Sequence, residues 1–249
     1  MKTYGVIGYP LTHTFSPRYF TEKFKRLRLS DCRYIPREIS DLKELNAWIK
    51  QEKVLGFNVT IPYKRQILSS LDYIQPAAFL MKSVNCVKVN WKTTAHYELV
   101  GFNTDVIGFR QSLEPILKSH HTRALILGTG GAAAAVAYVL RKLNIPFLYV
   151  SRNPDHADQI SYQDLSKDMM QLHTLIINTT PIGMYPQVNA APEIPYEYLT
   201  SMHLLYDLIY NPEETLFLKW GAKQGAGVKN GYEMLTLQAE ASWDFWNER

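Results

Sequence analysis

The chain has 249 residues, of which 46% are hydrophobic and 20% charged, and its formal net charge is +4. This composition is ordinary for a folded globular protein and excludes a disordered chain, while the length allows one large domain or two smaller ones. A short basic tract has the spacing of a solvated helix face, so we expect no nucleic-acid partner. The tract consists of Lys23, Lys25, Arg26 and Arg28.

The two cysteines, Cys32 and Cys86, form no CxxC pair. Two free thiols are typical of a reducing compartment and cannot build a zinc site, so we expect no metal. The N-terminus enters a strand-like run directly and resembles no signal peptide. No apolar stretch approaches the roughly 20 residues that span a bilayer. We therefore expect a cytoplasmic protein without a membrane partner.

The first half of the chain alternates predicted strands and helices. Short apolar runs predict strands over residues 3–7, 33–35 and 55–60. Two longer runs, 83–91 and 96–102, predict an antiparallel pair. Helix starts are predicted at Ser16-Pro17, near Leu42 and at Thr104, and the last helix carries apolar residues as far as Leu117.

A polar stretch at residues 118–121 precedes a second alternation. Apolar runs predict strands over 123–127, 147–150, 174–178 and 204–208, with an alanine-rich helix after the first and helical or loop segments between the others. This is the rhythm of a doubly wound parallel sheet. Residues 231–246 predict one long C-terminal helix. The pattern indicates two α/β units with a boundary near residues 114–123.

Residues Gly128-Thr129-Gly130-Gly131-Ala132-Ala133 fit the pattern G-x-G-x-x-A between a predicted strand and a predicted helix. The first glycine allows a tight turn, the second lets the backbone approach a pyrophosphate, and Ala133 allows close packing of helix on sheet. Free N–H groups at the helix start attract phosphate charge. The loop therefore predicts a dinucleotide site; the alternative is a tight turn that binds nothing.

The next predicted strand ends in Ser151-Arg152-Asn153. A site that prefers NAD usually has an acidic residue here for the ribose hydroxyls. A guanidinium instead suits the 2′-phosphate of NADP, to which it can donate two charged hydrogen bonds. NADP is the favoured cofactor, although Asp155 and Asp158 nearby leave room for NAD.

A series of blocks between residues 5 and 241 resembles the shikimate dehydrogenase family. Besides the glycine loop, the blocks are GYPLTHTFSP (8–17), NVTIPYK (58–64), SVNC (83–86), GFNTD (101–105), SRN (151–153), NTTPIGM (178–184), DLIYNP (207–212) and NGYEML (230–235) with Gln238. Any one block could arise by chance, but their occurrence in this order is highly specific.

The resemblance implies a two-domain α/β fold. A split α/β substrate-binding domain, 1–118 with 231–249, would be interrupted by a Rossmann-type NADP-binding domain, 119–230. The implied reaction is the reversible NADPH-dependent reduction of 3-dehydroshikimate to shikimate, on the way to chorismate and the aromatic amino acids. The expected partner is this small-molecule substrate, bound by a monomer or homodimer.

Reduction of a ketone by hydride leaves an alkoxide-like oxygen that needs a proton, and the reverse reaction needs a base. A lysine held by a carboxylate, with a pKa tuned by partial burial, can serve both. The resemblance assigns these roles to Lys64 and Asp105. Taken alone, they would be interpreted as a surface lysine and as a carboxylate at a helix N-terminus.

Neutral polar groups suit a substrate with several hydroxyls, because such a site rejects analogues that leave its groups unpaired. The resemblance implies that the residues binding substrate are Thr14, Ser16, Thr60, Asn85, Asp105, Tyr210 and Gln238. It implies that the residues binding cofactor are Gly128, Thr129, Gly130, Gly131, Ala132, Ser151, Arg152, Asn153, Thr179, Leu208 and Gly231.

Three positions depart from the family pattern. Thr14 stands where serine is usual, Asp155-His156 where a second basic residue is frequent, and Asn230 with Glu233 where aspartate and glycine are frequent. Three alternatives remain: an NAD-using quinate/shikimate dehydrogenase, another two-domain NADP dehydrogenase acting on a folate, and a silent paralogue that binds a metabolite. The pair Lys64 and Asp105, together with the two-hydroxyl loop, argues against the folate enzyme. The same pair disfavours the silent paralogue, since a pure binder has no need of a proton-transfer pair.

Overall fold

The computed structural model describes residues 1–11 and 15–248, and the chain forms two compact units. The first comprises Met1–Thr104 and Ala239–Arg249, and the second comprises Asp105–Gln238. The domain division predicted from the sequence, at residues 118/119 and 230/231, remains a prediction.

The strands are β1 (Lys2–Gly8), β2 (Cys32–Glu38), β3 (Val54–Val59), β4 (Tyr73–Ile74), β5 (Cys86–Trp91), β6 (Tyr97–Phe102), β7 (Ala124–Leu127), β8 (Phe147–Val150), β9 (Gln159–Ile160), β10 (Leu175–Asn178), β11 (Leu204–Asp207) and β12 (Gly227–Lys229). The α-helices are α1 (Phe15–Arg26), α2 (Leu45–Glu52), α3 (Tyr63–Gln66), α4 (Pro76–Met81), α5 (Asp105–Leu113), α6 (Gly131–Lys142), α7 (Lys167–Leu172), α8 (Leu216–Lys223) and α9 (Tyr232–Asn247). Short 3₁₀ helices are Leu42–Glu44, Ile67–Ser70, Glu114–Ile116, Tyr162–Asp164 and Tyr196–Tyr198.

The sheet of the first unit has the strand order β2-β1-β3-β5-β6-β4. Strand β1 pairs in parallel with β2 and β3, whereas β5 runs antiparallel to both β3 and β6. The antiparallel pair predicted from the sequence is confirmed. Because β1 and β3 are parallel neighbours, Gly8 and Thr60 lie where these strands end, at the same edge of the sheet.

Both faces of this sheet are covered, because successive strand residues point to opposite sides. Ile7 packs in a core cluster with Trp48 and Ile49 of α2. Tyr4 and Val6 point the other way, into an aromatic cluster with residues of α1 and α9. The strand β1 is therefore apolar almost throughout, which is why periodicity alone could not give its two faces.

Helix α9 closes the aromatic cluster with Ala239, Phe245 and Trp246. The Trp246 ring lies so close to the backbone of Gly56 that a Cβ there would overlap it. The indole N–H also donates to the Val87 carbonyl at 3.0 Å. The part of the last helix from Ala239 onward is thus built into the core of the first unit.

The prediction of a solvated basic face on α1 is wrong for one residue. Lys25, Arg26 and Arg28 are exposed, but Lys23 is only 6% exposed and its ammonium pairs with the Glu240 carboxylate. A buried lysine needs such a partner, and the partner lies more than 200 residues away, where helix periodicity gives no information.

The sheet of the second unit has the order β12-β11-β10-β7-β8-β9, and its neighbouring strands pair in parallel. This is the strand order of a doubly wound dinucleotide-binding sheet. Strand residues alternate between two cores: Ile126 and Ile177 pack with α5 and α6, and Leu125 and Ile176 pack with α7 and α8. The predicted α/β class with a Rossmann-type sheet is confirmed.

Several predicted elements have different bounds; for example, the strand predicted at 33–35 is β2, Cys32–Glu38. Helix α5 stops at Leu113 rather than near Leu117, because Pro115 lacks the N–H that would continue it and a 3₁₀ turn follows. Strand β5 begins at Cys86 rather than Ser83. None of the described helices is long and apolar enough to cross a bilayer.

Candidate active site

In the first unit, three predicted site residues lie close to the ends of strands: Thr60 and Lys64 after β3, and Asn85 before β5. Thr60 follows β3, and its N–H donates to the Ile7 carbonyl at 3.0 Å. Lys64 lies half-buried in the short helix α3 that comes next. The Val84 N–H donates to the Lys64 carbonyl at 2.8 Å, and the Asn85 carbonyl accepts from Val59 N–H, also at 2.8 Å. The backbone therefore brings the Thr60, Lys64 and Asn85 segments together.

Asn85 is only 3% exposed, and its side-chain carbonyl oxygen accepts two hydrogen bonds from one residue. Thr104 donates to it through its backbone N–H at 2.7 Å and through its hydroxyl at 3.1 Å. Because a backbone N–H can only donate, this contact fixes which end of the amide faces Thr104.

Ser16 lies in the first turn of α1, and its hydroxyl hydrogen-bonds the buried phenol of Tyr34. Burial raises the pKa of Tyr34 well above its usual value, so the phenol stays protonated and donates to the Asn58 side chain at 2.8 Å. Thr14, the other hydroxyl predicted for the substrate carboxylate, lies outside the described residues.

In the second unit, the glycine loop has the geometry that its sequence predicts. Gly128 adopts φ +101°, which side chains other than glycine rarely tolerate, and its N–H donates to the Val150 carbonyl at 2.9 Å. Gly130 precedes α6, and a Cβ added there would meet no atom within 4 Å. Space beside this helix N-terminus allows a phosphate to approach the backbone N–H groups.

The segment after β8 continues this edge. Ser151 N–H donates to the Ile160 carbonyl at 2.9 Å, and the Ser151 hydroxyl accepts from Asn153 N–H at 3.2 Å. Arg152 is exposed, and no ion pair to it occurs among the described residues. The Oδ1 atom of Asp155 lies 3.7 Å from Nε2 of His156, and both side chains are exposed.

Thr179 and Leu208 follow the next two strand ends. The Thr179 hydroxyl donates to the Leu127 carbonyl at 2.6 Å, which places it beside Gly128. Leu208 N–H donates to the Asn178 carbonyl at 3.0 Å. A Cβ on Gly231 would overlap the Leu208 carbonyl oxygen, so glycine is required for this approach. These residues, predicted separately for the cofactor, form one edge of the sheet.

A fully buried carboxylate joins two of these strand ends. Asp207 Oδ1 accepts from Asn178 Nδ2 at 3.0 Å and from Ile209 N–H at 3.1 Å, and Asp207 Oδ2 accepts from the Thr215 hydroxyl at 2.6 Å. The Asn178 oxygen in turn accepts from Thr180. Asp207 thus anchors the loops that carry Thr179 and Leu208.

The remaining predicted substrate residues of this unit are Asp105 in α5, Gln238 in α9, and Tyr210 in the segment between β11 and α8. Asp105 opens α5 and Gln238 is buried in α9, and the two helices pack so closely at Gly108 that a Cβ there would lie 3.0 Å from that of Gln238. Tyr210 is half-buried, and burial raises its pKa.

The departures near α9 have a structural explanation. The Asn230 oxygen accepts from Tyr232 N–H at 3.2 Å and its amide donates to the Glu213 carbonyl at 3.0 Å. Glu233 pairs with Lys229, and a carboxylate in the first turn of a helix is favourable. Asn230 therefore supplies a helix-start acceptor as aspartate would. Within residues 1–11 and 15–248, no group of three acidic, histidine or cysteine side chains could hold a metal.

Comparison with known proteins covers nearly the whole chain. A family model described as the shikimate dehydrogenase substrate binding domain matches residues 6–87. The chain is 36% identical to the shikimate dehydrogenase (NADP(+)) of Methanococcus vannielii, across 97% of this chain and 90% of that protein. The chain belongs to the shikimate dehydrogenase family. The resemblance identified from the sequence is thereby confirmed.

Solved structures of the family have the same fold. Shikimate dehydrogenase 1 from Peptoclostridium difficile matches with a TM-score of 0.83 and 34% identity, covering 99% of this chain and 91% of that one. Shikimate 5-dehydrogenase from Thermus thermophilus, solved in complex with NADP(H) and shikimate, matches with a TM-score of 0.84 and 28% identity, covering 99% and 94%.

The sequence reasoning missed the residues that anchor the shikimate dehydrogenase site rather than bind its ligands. Asn58 and Asp207 each gave a signal, as a polar residue within or ending an apolar strand run. A polar residue in such a position is buried only if it has hydrogen-bond partners, so it marks a buried polar contact or an exposed site. Ser242 gave none, since serine is common on helices.

The buried Asp207 makes stability depend on pH. Burial raises its pKa from 3.8 to about 6, so its contribution to stability is complete below the unfolded value and is lost as the pH rises through about 6. Asp207→Asn stays uncharged and keeps an oxygen for Asn178 and Ile209. Between about pH 4 and 7 it should gain about 3 kcal/mol relative to the unaltered protein, measured by denaturant unfolding.

The control is Asp244→Asn, which removes an exposed carboxylate from α9. Its free energy of unfolding should follow that of the unaltered protein at each pH. If the free energy of unfolding of Asp207→Asn changed with pH in the same way as that of the unaltered protein, the assignment of a buried, destabilised carboxylate would be contradicted.

Proposed function

We propose that this protein is an NADP-dependent shikimate dehydrogenase that reversibly converts 3-dehydroshikimate to shikimate. The observation that carries the proposal is a glycine loop followed by Arg152, with no acidic residue at the end of β8, in a chain similar over 97% of its length to a protein of that name. We further propose a cytoplasmic monomer or homodimer.

The second unit fits the cofactor. The N-terminus of α6, with open space at Gly130, suits the pyrophosphate, and Arg152 suits the 2′-phosphate because its guanidinium can donate two charged hydrogen bonds. Thr179, Leu208 and Gly231 share the same sheet edge, where the backbone can contact the ribose and nicotinamide. NADP, when bound, supplies the acceptor or donor of the hydride.

Substrate recognition is proposed for residues of both units. Ser16, Thr60 and Asn85 belong to the first unit, whereas Asp105, Tyr210 and Gln238 belong to the second. All but Asp105 are neutral, and their hydroxyl and amide groups suit the ring hydroxyls and the carboxylate of the substrate. A substrate lacking one hydroxyl would leave a polar group unpaired, which costs about 1–3 kcal/mol. The proposed domain division remains 1–118 with 231–249 and 119–230.

Proton transfer is proposed for Lys64. In the reduction direction, the Lys64 ammonium donates a proton to the substrate carbonyl oxygen, which becomes the hydroxyl of the product. In the oxidation direction, the neutral amine takes the proton of that hydroxyl. The family resemblance assigns to Asp105 the role of holding and orienting the ammonium by its charge. The half-buried position of Lys64, on a short helix after β3, limits the orientations of its side chain.

The proposed reaction is tested with purified protein, shikimate and NADP, by following the absorbance of the reduced nicotinamide. Shikimate with NADP should have a kcat/KM well above that of quinate or of either substrate with NAD. Comparable values with quinate and NAD would instead establish the quinate/shikimate alternative. Binding of shikimate without turnover on either cofactor would establish a silent paralogue.

The role of Arg152 in cofactor choice gives a second prediction. Arg152→Ala should raise the KM for NADP by roughly ten- to a hundredfold, because it removes a pair of charged hydrogen bonds to the 2′-phosphate. The KM for NAD, which lacks this phosphate, should stay almost unchanged. Arg123→Ala removes an exposed arginine just before β7, at the opposite end of the strands, and is the matched control. An unchanged ratio of NADP to NAD specificity in Arg152→Ala would exclude the role.

The acid–base role of Lys64 gives the third prediction. Lys64→Ala should lower kcat by about 10²–10⁴-fold, while cofactor affinity stays almost unchanged. Asp105→Asn should also be slow, and the double variant should be little worse than the slower single one, because groups that act as a unit are non-additive. Steady-state kinetics and cofactor titration measure these quantities.

Arg65→Ala is the control, because it removes an exposed positive charge from the same short helix. It should retain nearly normal kcat. A folded Lys64→Ala protein with kcat near that of the unaltered enzyme would refute the mechanism, and multiplicative losses in the double variant would indicate separate roles.

A further inference from the structure

A continuous chain of hydrogen bonds runs through the interior of the first unit. It joins Tyr34 of β2, Asn58 of β3, Ser242 of α9, Thr104 after β6 and Asn85 before β5. Their exposures are 7%, 7%, 0%, 0% and 3%. The Asn58 amide nitrogen donates to the Ser242 hydroxyl at 2.9 Å, and the Ser242 and Thr104 hydroxyls lie 3.2 Å apart.

At the Asn85 end of this chain, a backbone group fixes the direction of the hydrogen bonds. Thr104 N–H can only donate, so the Asn85 atom that faces it is the carbonyl oxygen Oδ1. The Thr104 hydroxyl also lies at 3.1 Å from Oδ1, which can only accept, so in this contact the hydroxyl is the donor. Between the Thr104 and Ser242 hydroxyls, either oxygen can be the donor.

The orientation of the Asn58 amide is also fixed by a backbone group. The backbone carbonyl of Asn85 lies 3.2 Å from one atom of the Asn58 amide, and since a carbonyl only accepts, that atom is the nitrogen. Asn58 therefore donates to the Ser242 hydroxyl. The Asn58 oxygen accepts from Tyr34. Backbone groups thus fix the orientation of both amides, Asn58 and Asn85.

The consequence concerns Asn85. Its carbonyl oxygen accepts two hydrogen bonds from Thr104, and turning the amide over would place an NH₂ group against a backbone N–H inside the protein. Such an unpaired buried donor is costly. The NH₂ group therefore points away from Thr104, and any ligand that reaches the Asn85 side chain meets a donor.

We propose that Thr104 and Ser242 are positioning residues, which lock the Asn85 amide so that it donates to a hydroxyl oxygen of the substrate. The proposal rests on the proposed function for the identity of the substrate. Asn58 completes the device by holding the Ser242 hydroxyl and the Asn85 backbone at once. Specificity then depends in part on Ser242, a fully buried serine of the last helix.

The test compares variants that differ by one hydroxyl. Thr104→Val keeps the shape of the side chain but removes its hydrogen bond to Asn85, so the KM for shikimate should rise about tenfold with kcat changed much less. Thr104→Ser restores the hydroxyl and should restore KM. Ser242→Ala should raise KM by a smaller factor, because Thr104 N–H still holds the amide.

Ser112→Ala is the control for loss of a buried serine. The Ser112 hydroxyl is buried in the second unit and lies 2.6 Å from that of Tyr206, so its removal should lower stability but leave the KM for shikimate unchanged. An equal rise of KM in Ser112→Ala and Thr104→Val, or no rise in Thr104→Val, would overturn the positioning role.

Nuclear magnetic resonance tests the amide without turnover. In ¹⁵N-labelled protein, the NH₂ signals of Asn85 are identified by their loss in Asn85→Asp. They should form one sharp pair in the unaltered protein and in Thr104→Ser, and broaden or double in Thr104→Val. An unchanged pair in Thr104→Val overturns the proposal even if the unaltered protein oxidises shikimate, and a changed pair supports it even if the substrate proves different.

Discussion

Parallel strands end at a common edge, and this constraint organises both units. In the second unit, β7, β8, β10 and β11 deliver Gly128, Ser151, Thr179 and Leu208 to one edge of one sheet. In the first, the parallel pair of β1 and β3 delivers Gly8 and Thr60. Side chains far apart in sequence therefore become neighbours through backbone hydrogen bonds alone, and the loops that follow are free to vary in chemistry.

Buried polar groups hold the loops. Removing these groups from water costs free energy, which their hydrogen bonds offset. Asp207 has three donors around one carboxylate, and Asn58 uses its oxygen and both amide hydrogens. Neither residue could be replaced by an apolar side chain without leaving partners unpaired. The rigidity of the sheet edge is therefore a property of its polar interior as much as of its apolar cores.

Much of the second unit follows from the sequence, because its strands are short, apolar and separated by clear breaks. The glycine loop could be located and its conformation predicted, since φ +101° at Gly128 and open space at Gly130 are what glycine permits. The two-residue strands β4 and β9 and the short helix α3 could not be predicted, because elements of this size have no periodicity and depend on tertiary contacts.

The candidate site was predictable where a family pattern supplied roles, and not where tertiary contacts decide. The sequence pattern placed Asn85 within a predicted strand over residues 83–91; only the structure puts it before β5 and gives the direction of its amide. Similarly, nothing local distinguishes Lys23, which pairs with Glu240 of α9, from its exposed neighbours on α1. Contacts that join the two ends of the chain have no short-range sequence signal.

The incorporation of the C-terminal part of α9, from Ala239 onward, into the first unit has a consequence for the order of folding during translation. The second unit is contiguous in sequence and can bury its two cores once Gln238 has left the ribosome, whereas Tyr4, Phe20 and Tyr34, although translated before it, wait for Phe245 and Trp246. A segment that is synthesised before the second unit is thus completed after it. Until then its aromatic face is open to chaperones and to neighbouring nascent chains.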